Sequence, residues 1–485
     1  MRFAWGDIHN HNEIGYGVGS LERSYEIARG CMLDFYAFTP HGHWPDAPHS
    51  DPKIKKYHED GYRKVQDAWP KIIEMAEKYN KDSEFVTLPA FEWHSSKSGD
   101  YCVYLPGTDG STFPAQDLQE LKEFARRHNA LMIPHHIAYR PGCRGLDWDD
   151  FDMNSSPVVE AFSEHACSIE PQASWPMTGH SMGGQDLSQT VFSQLNKGKF
   201  FGVTGSTDNH HGHPASYGEG LTGLYIEELT REGVFNALRK RRSTVVSGER
   251  IEAFFKLGSA LMGDIATPSG NDSFEYSASG FGEIEFVQII KNGIPAYTDI
   301  PHGNIDKSGF AARLEFGWGG MMSGEIADWD VEVSLKNGEF LKLSPGFCGG
   351  ADSEKINKVT EHTPQKLKFQ AFTSRKNTHP VSSIAFRCQG ESAEITVNCN
   401  SMHKGKSSKG SIAAKAQELS EKDLWLQHGD EFSSPVMKLG AYSPLNCLES
   451  RGKWRDSEIK SGDWYMLKVQ QKNGHIAWTS PIKIA

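Results

Sequence analysis

The sequence predicts an α/β barrel in the front half of the chain and an all-β, sandwich-like region behind it. Short apolar runs alternate with amphipathic stretches as far as about residue 249, whereas short runs of alternating polarity follow from residue 250. The histidines are unevenly spread as well, because 15 of the 21 lie at or before His213. A chain of 485 residues is long for one hydrophobic core. We therefore expect one domain over residues 1–249 and a second over residues 250–485.

Six apolar runs of the front half have the length and composition of buried strands. In chain order they are RFAWGDIH, DFYAFTPH, FVTLPAFEWH, ALMIPHH, PVVEAFSEH and FFGVTGSTDNH. Helical patterns lie between them, and the first of these, SLERSYEIARG, has Ser20 as an N-cap and Gly30 as a C-terminal stop. Strand-then-helix order over about 250 residues predicts a parallel sheet closed into a TIM-like barrel.

The back half has the pattern of an antiparallel all-β fold. Its runs include FEYSASG, IEFVQIIKNG, WDVEVSLKNGEFLKL, AEITVNC and WYMLKVQQKNG, and Asn-Gly pairs in three of them favour hairpins. The polar stretch 401–417 has little to bury and is expected to be a mobile loop. Four tryptophans are expected to pack in the hydrophobic core, in preference to forming an aromatic platform that binds sugars: Trp425, Trp454, Trp464 and Trp478. We expect this region to pack against the barrel or another subunit, which leaves a homo-oligomer open.

The composition is that of a soluble protein and argues against several classes of function. A formal net charge of −11 disfavours nucleic-acid binding, which needs lysine and arginine to neutralise phosphates. No apolar segment approaches the roughly 20 residues that span a bilayer, so no membrane association is expected. Eight cysteines without a CxxC pair favour reduced thiols, and no signal peptide is visible, so we expect a cytoplasmic location.

Each of the six predicted strands ends in histidine, or in an acidic residue with histidine beside it. In a parallel barrel the carboxyl ends of the strands meet at one rim, so these side chains would share one pocket. His9 and His11, two positions apart on a strand, leave the same face, and Asp208 and His210 repeat the spacing. The predicted metal ligands are His9, His11, His41, Glu92, His135, His165, Asp208 and His210. Imidazole with carboxylate suits zinc, manganese or iron, and a carboxylate such as that of Glu92 can bridge two ions.

These histidines also have plainer interpretations. A single His-x-His pair is weak evidence for a metal, and His211 and His213 fit a solvated loop. Others fit surface or helix-face positions: His49, His58, His128 and His180. A pH sensor would use many imidazoles without needing interleaved carboxylates. Six strand ends that all carry ligand-type groups favour the metal site.

The motifs GDIHNH, LDFYAFTPH, LPAFEWH, IPHH and STDNH resemble, in this order, those of the polymerase and histidinol phosphatase (PHP) superfamily. The stretches GLTGLYIEELTREGVFNALRKRRSTVVSGERIE and GDWYMLKVQQKNGHIAWTSPI are similar to a branch that joins such a barrel to a C-terminal β domain. The resemblance spans nearly the whole chain. It implies a distorted (β/α)7 barrel that holds two or three divalent metal ions.

The resemblance also implies a distribution of ligands. The first ion would be held by His9, His11, Glu92 and Asp208. The second would be held by Glu92, which bridges, with His135 and His165. The third would be served by His41 and His210.

The sequence departs from the superfamily pattern at two places that concern the third ion. Tyr16 and Gly17 stand where an Asp or His usually follows the His-x-His motif, although Glu13 could substitute. Pro40 stands where an Asp usually precedes the strand-end histidine. Glu160 is a second candidate ligand beside His165.

A divalent ion lowers the pKa of its bound water to around 7 and so provides hydroxide at neutral pH. A proton donor for the leaving group is also needed, and the candidates just past strand ends are His94, His136 and Tyr139. The candidate substrate-binding residues are Arg140, Arg144, His43 and Glu160, of which the arginines could grip an anionic group. The long stretch 168–189 is expected to be a lid or substrate wall.

The leading hypothesis is a metal-dependent hydrolase, most simply a phosphoesterase that acts on a small anionic substrate. The alternative is a lyase, or a hydrolase of another ester or amide, that acts on a carbohydrate or small acid with the same metals. The sequence has no glycine-rich phosphate loop, which keeps this alternative open. A metal-binding protein without turnover is the third hypothesis.

Overall fold

The computed structural model describes nine stretches of the chain: residues 1–171, 173–175, 184–301, 308–317, 325–350, 354–374, 376–377, 379–427 and 436–485. Within them the fold is mixed α/β, with many strands and few helices, as the sequence predicts in outline. None of the helices in these stretches combines the length and the apolar character needed to cross a bilayer.

The described stretches contain six α-helices and two short 3-10 helices. The α-helices are α1 Leu21–Gly30, α2 Pro52–Tyr79, α3 Leu118–Arg127, α4 Val191–Asn196, α5 Arg231–Arg239 and α6 Ala416–Leu419, and the 3-10 helices are η1 Leu187–Gln189 and η2 Leu445–Cys447. The predicted N-cap of α1 is confirmed, because the Ser20 side chain accepts a hydrogen bond from the Arg23 backbone N–H (3.4 Å). Helix α2 is capped by Asp51 and has Pro52 in its first turn.

The described part of the front half contains twelve strands, among them all six predicted ones. They are β1 Arg2–Asp7, β2 Phe35–Tyr36, β3 His41–His43, β4 Val86–Thr87, β5 Ala90–Trp93, β6 Asp100–Tyr104, β7 Leu131–His135, β8 Val158–Ser163, β9 Ala166–Cys167, β10 Gly202–Gly205, β11 Leu221–Ile226 and β12 Ser243–Val246. Two predicted strands are each split in two, as β2 with β3 and β4 with β5.

The prediction of an all-parallel sheet is wrong for several strand pairs. Strand β2 lies parallel to β1 and β4, β3 to β5, and β8 to β10. Strand β1 is antiparallel to β11, and β6 is antiparallel to both β5 and β7. The reason at β5 and β6 is the connection, since residues 94–99 are enough for a hairpin and too few for a crossover helix.

The front strands belong to three sheets. One runs β3-β5-β6-β7, another runs β10-β8-β9, and the third contains β12-β11-β1-β2-β4. A single closed (β/α)7 barrel therefore stays a prediction. The strands nevertheless bring their histidine-bearing ends to one place, which is what positions the site.

The region after residue 249 consists almost entirely of strands in the described stretches. They are β13 Glu252–Leu257, β14 Ala260–Leu261, β15 Ile265–Ala266, β16 Phe274–Ser279, β17 Ile284–Lys291, β18 Ile294–Asp299, β19 Gly309–Gly317, β20 Ile326–Lys336, β21 Glu339–Gly346, β22 Lys358–Thr363, β23 Lys366–Ser374, β24 Val381–Gln389, β25 Glu394–His403, β26 Lys406–Lys415, β27 Leu424–Gln427, β28 Val436–Pro444, β29 Glu449–Trp454, β30 Trp464–Gln471, β31 Ile476–Thr479 and β32 Ile482–Ile484.

Two five-stranded antiparallel sheets, β21-β24-β19-β28-β27 and β22-β23-β20-β25-β26, pack face to face. Phe316 of the first lies 5.5 Å from Trp329 and 5.2 Å from Phe369 of the second, measured between ring centroids. Of the four tryptophans assigned to the core, Trp464 and Trp478 are buried, whereas Trp425 is 60% exposed. The stretch predicted as a mobile loop instead forms the hairpin of β25 and β26.

The last strands return to the front half. Strand β31 pairs with β12, so the sheet that contains β1 continues into the C-terminal β region, residues 250–485. The two sides of the predicted boundary at residue 249 thus share one sheet, and the division into two domains stays a prediction.

Candidate metal centre

The eight predicted metal ligands lie together although they come from six separate parts of the chain. His9 and His11 follow β1, His41 begins β3, Glu92 lies in β5 and His135 ends β7. The remaining three follow strands β8 and β10: His165, Asp208 and His210. All except His165 and His210 are buried.

The Glu92 carboxylate lies among four of the predicted histidine ligands. Its Oε1 is 2.8 Å from His135 Nε2. Its Oε2 is 3.4 Å from His11 Nε2, 3.5 Å from His41 Nε2 and 3.8 Å from His9 Nε2. The two oxygens therefore face different sets of histidines, which is the arrangement a bridging carboxylate needs.

The Asp208 carboxylate forms a second such centre. Its Oδ1 is 3.1 Å from His9 Nε2 and 3.0 Å from His11 Nε2, and its Oδ2 is 3.1 Å from His165 Nε2. Because His9 and His11 face both carboxylates, the two centres are continuous.

The histidines present Nε2 to the middle of the cluster, and several have an outer partner at Nδ1. His9 Nδ1 lies 3.0 Å from Glu160 Oε2, and His165 Nδ1 lies 2.9 Å from the Tyr139 hydroxyl. His210 Nδ1 lies 3.2 Å from the Asp208 backbone oxygen. Such outer partners fix the tautomer and orientation of a histidine that ligates a metal through its other nitrogen.

The donor set fits a divalent cation. His9 Nε2 lies 3.2 Å from His11 Nε2, and His41 Nε2 lies 3.3 Å from His210 Nε2. Glu92 Oε2 and Asp208 Oδ2 are buried without a hydrogen-bond partner among the described residues, an arrangement that costs free energy unless something else binds them. Ligand atoms within 4.8 Å of one another form several groups of three, including His9 with His11 and Asp208.

The electrostatics favour ionised carboxylates beside imidazoles whose pKa values are shifted in both directions. Burial raises the pKa of Glu92, but the charges of His94, His41 and His135 outweigh burial and hold that pKa well below its usual value. The pKa of Asp208 is lowered in the same way, against its burial, chiefly by His9. Burial lowers the pKa of His11 to about 3.

His9 and His135 are among the imidazoles that behave in the opposite way. Although burial opposes it, Asp208 raises the pKa of His9 well above its ordinary value. Burial and the charge of His9 lower the pKa of His135, but the opposing effect of Glu92 is part of a net rise to about 10. Both histidines must therefore lose a proton before they can ligate a metal.

The three candidate proton donors lie at the cluster. His94 Nδ1 is 3.4 Å from Glu92 Oε1, and His136 Nε2 is 3.6 Å from Asp208 Oδ2. Both imidazoles thus lie close enough to the carboxylates to act as ligands as well. The Tyr139 hydroxyl contacts His165, and burial raises its pKa, which keeps it protonated.

The candidate substrate-binding residues do not all reach the cluster. Arg144 does, with Nη2 lying 3.3 Å from His94 Nδ1, and its Nε donates to Asp100 Oδ2 (2.6 Å). Glu160 lies behind His9. Arg140 is exposed, and half-buried His43 points to Gln116, with 3.3 Å between their Nε2 atoms. Glu13, considered as a substitute ligand, is exposed as well.

Three residues near the centre escaped the sequence analysis. Asp100 Oδ2 lies 3.4 Å from His94 Nδ1, Cys102 Sγ lies 3.9 Å from His135 Nδ1, and Glu164 Oε1 lies 3.5 Å from His210 Nδ1. Asp100 and Cys102 are on β6, which is not among the strands predicted from the sequence. Reading DYCVY with a period of two would have placed both side chains on one face.

The cluster opens to solvent on one side. The side chains of His210 and Glu164 are 36% and 28% exposed, whereas His9, His11, Glu92 and Asp208 are buried. Gln185 forms a β-bridge with Tyr139, so the end of the predicted lid lies beside the candidate donor. Residues 172 and 176–183 of that predicted lid lie outside the described residues.

A cavity of about 890 Å³ lies elsewhere, between the front half and the C-terminal β region. Trp175, Tyr217 and Glu219 line it from the front half, and Arg313 and His475 are among the C-terminal residues that line it. None of the eight predicted ligands is among its lining residues, so it is separate from the candidate metal centre.

Comparison with known proteins gives distant relatives. A family described as a protein of unknown function, DUF3604, matches residues 37–102, which include His41, Glu92 and His94. Uncharacterised proteins of Chlamydia muridarum and Chlamydia trachomatis are each 25% identical over 328 residues, and one of Chlamydia pneumoniae is 25% identical over 325. These matches cover 62% of this chain and 49% of each relative, so the chain matches about half the length of these curated relatives.

The solved structures that the chain matches include a two-domain protein from Bacteroides vulgatus described as containing a predicted PHP-like metal-dependent phosphoesterase. The match covers 85% of this chain and 95% of that one, with 11% sequence identity and a TM-score of 0.35. A TM-score this low does not establish a shared fold.

Proposed function

We propose that the protein is a metal-dependent hydrolase, and that its reaction is the hydrolysis of a phosphoester on a small anionic substrate. The observation that carries this proposal is the convergence of imidazole Nε2 atoms on two buried carboxylates, Glu92 and Asp208. Imidazole and carboxylate together are the ligand set of zinc, manganese and iron.

We propose the distribution of ligands that the resemblance implies. The first would be held by His9, His11, Glu92 and Asp208. The second would be held by Glu92 through its other oxygen together with His135, and by His165. A third ion would use His41 and His210, with Tyr16 packing on the His41 ring at 4.3 Å between ring centroids.

The protein groups then have separate tasks. A bound divalent ion supplies an acidified water and withdraws charge from the substrate oxygen. Glu160 and Tyr139 orient the ligands His9 and His165 through their Nδ1 atoms. We assign to His94 and His136 the task of giving a proton to the leaving group. Arg144 adds positive charge beside His94.

The test combines metal analysis with turnover. Elemental analysis of the purified protein should find about two or three equivalents of a transition metal. Metal-loaded protein should hydrolyse p-nitrophenyl phosphate, and Glu92→Gln should lose both metal and turnover. Glu339→Gln, which changes an exposed glutamate, should behave like the wild type. Metal-free wild-type protein that cannot be loaded would contradict the proposal.

A second candidate is a lyase, or a hydrolase of another ester or amide, that acts on a carboxylate-bearing carbohydrate or small acid. The observation that favours it is that Asp100 already binds the Arg144 guanidinium, which leaves less of it for a phosphoryl group. Metal-loaded protein that is inert on phosphoesters but forms an ultraviolet-absorbing unsaturated product from a uronic-acid polymer would establish the lyase.

A further inference from the structure

The loop that carries Asp208 and His210 has a strained backbone. Asp208 has φ = +54°, in the left-handed region that non-glycine residues seldom occupy. Residues in such conformations persist only where their surroundings hold them. On one side the His-x-His segment does so: the Asp208 N–H donates to the His9 backbone oxygen (2.7 Å), and the His11 N–H donates to the Asn209 oxygen (3.0 Å).

On the other side, the C-terminal β region holds the loop through His213. This histidine, expected in a solvated loop, is fully buried, and its Nε2 accepts a hydrogen bond from Asn357 Nδ2 (2.8 Å). Gly349 packs against the same ring, so closely that a Cβ there would lie 2.3 Å from His213 Cβ. The Tyr217 N–H donates to the Phe347 backbone oxygen (2.9 Å), which extends the contact.

A buried arginine of α1 also joins the loop to the C-terminal β region. Arg23 of α1 donates from Nε to the Lys355 backbone oxygen (2.8 Å) and from Nη1 to the His211 backbone oxygen (2.9 Å). It therefore ties the loop to the strand-free segment that precedes β22. No residue of this contact is among the metal ligands.

Asn209 connects the held histidine to the ligands. Its Nδ2 donates to the His213 backbone oxygen (2.8 Å), and its Oδ1 accepts from Asn10 Nδ2 (3.2 Å). Asn209 lies between Asp208 and His210, and Asn10 lies between His9 and His11. A displacement of His213 would therefore reach both ligand pairs.

We propose that the C-terminal β region is a clamp that positions the metal-ligand loop, with Asn357 and Gly349 as its positioning residues and Arg23 of α1 as a positioning residue that ties the loop to the clamp. As far as the metal is concerned, the inference rests on the proposed function. The C-terminal β region thereby contributes to the metal site of the front half. It keeps Asp208 in a backbone conformation that the loop would otherwise leave.

The experiment compares the full-length wild type with Asn357→Ala and Gly349→Ala. The first variant removes the hydrogen bond to His213, and the second forces the two segments apart without removing a polar group. Asn398→Ala, an exposed asparagine of β25, is the matched control. Circular dichroism and thermal unfolding establish that each variant is folded at the temperature of measurement.

Two readouts are taken on the folded proteins. Hydrogen exchange in metal-free protein reports the opening of residues 208–213, and both variants should exchange there about tenfold faster than the wild type. Titration with Co²⁺ reports affinity and, through the visible absorption of the bound ion, ligand geometry. We expect Co²⁺ affinity to fall about 10- to 100-fold and the spectrum to change, as for other losses of ligand support.

The outcomes separate this inference from the proposed function. Unchanged exchange and an unchanged Co²⁺ spectrum in both folded variants would overturn the clamp while leaving the metal site intact. A wild type that binds no Co²⁺ would contradict the proposed function, and hydrogen exchange would still decide whether the clamp holds the loop. If Arg23→Lys, which cannot make both contacts, loosens the same residues, the clamp is supported independently.

Discussion

The candidate metal centre and the cavity between the two halves both concentrate charged side chains, but they balance the charge differently. At the cavity, Arg313 pairs with buried Glu249, Lys438 pairs with Glu315, and Lys472 pairs with Glu283. At the metal centre, Glu92 and Asp208 face imidazoles, and the nearby guanidinium of Arg144 is bound to Asp100.

The difference indicates which of the two regions needs to bind a cation from solution. The three cations at the cavity are paired with carboxylates of the protein itself. Removing a buried partner from such a pair should lower the stability of the protein without affecting metal binding. The carboxylates of the metal centre keep acceptor atoms unpaired, so they should bind a cation and lose function without it. The predictions below separate the two regions.

The largest effect is expected for Asp208→Asn. Asparagine tolerates the left-handed backbone conformation of residue 208, so the change removes a charge while keeping the loop. Metal affinity and turnover should each fall by more than about 100-fold, since even outer partners of metal ligands contribute 10- to 100-fold. Metal titration and a turnover assay measure this, with the exposed Asp330→Asn as control. Wild-type metal content in the variant would remove Asp208 from the site.

Arg313→Met should destabilise the protein by about 3 kcal/mol, because it leaves the buried Glu249 without its cation. Urea unfolding measures the loss. Adding Glu249→Gln should recover part of it, since the uncompensated charge is then removed. Both variants should keep the wild-type metal content, and a parallel loss of metal would show that the two regions are coupled.

Much of the metal centre could be predicted from the sequence because its signal is local. His9 and His11 share a face through the period of two in an extended strand, and residues at strand ends are easily recognised when polar groups follow an apolar run. The same reasoning put Glu92 and His135 at the site. It required that the carboxyl ends of the ligand-bearing strands meet, and those of β5 and β7 still do, because both strands are antiparallel to β6 and therefore parallel to each other.

What the sequence did not reveal depends on distant contacts. Strand β6 returns antiparallel to β5, so Asp100 enters the site at the start of a strand instead of its end. His213 has the local sequence of a loop histidine, and its burial depends on a contact with Asn357, which lies far along the chain. The polar hairpin of β25 and β26 forms because Lys404 and Gly405 adopt positive φ at its turn, which the composition did not suggest.

A smaller effect is expected for Glu160→Gln. Glutamine can keep a hydrogen bond to His9 Nδ1, but it removes the negative charge that makes Nε2 a better ligand. Metal affinity should fall about 10- to 100-fold while stability changes little. Isothermal titration of metal into both proteins measures this. Equal affinities would show that Glu160 contributes packing alone.

Metal binding should weaken as the pH falls. In the metal-free protein Glu92 raises the pKa of His135 to about 10, against the effect of burial and of His9, so this imidazole is protonated at neutral pH. Binding must release that proton, and affinity should fall about tenfold per pH unit below 10 for each proton released. Titrations at pH 7 in buffers of different ionisation enthalpy should detect the release. Heats that do not depend on the buffer would contradict the protonated state.

The smallest effect is expected for Tyr139→Phe, and it separates the two tasks considered for this hydroxyl. If Tyr139 only orients His165 through the 2.9 Å contact at Nδ1, losing one hydrogen bond should weaken metal affinity about fivefold and lower turnover only through metal loss. If Tyr139 is the proton donor, turnover at saturating metal should fall about 100-fold or more. Because His94 and His136 also lie beside the carboxylates, we expect the first result, with turnover nearly restored by excess metal.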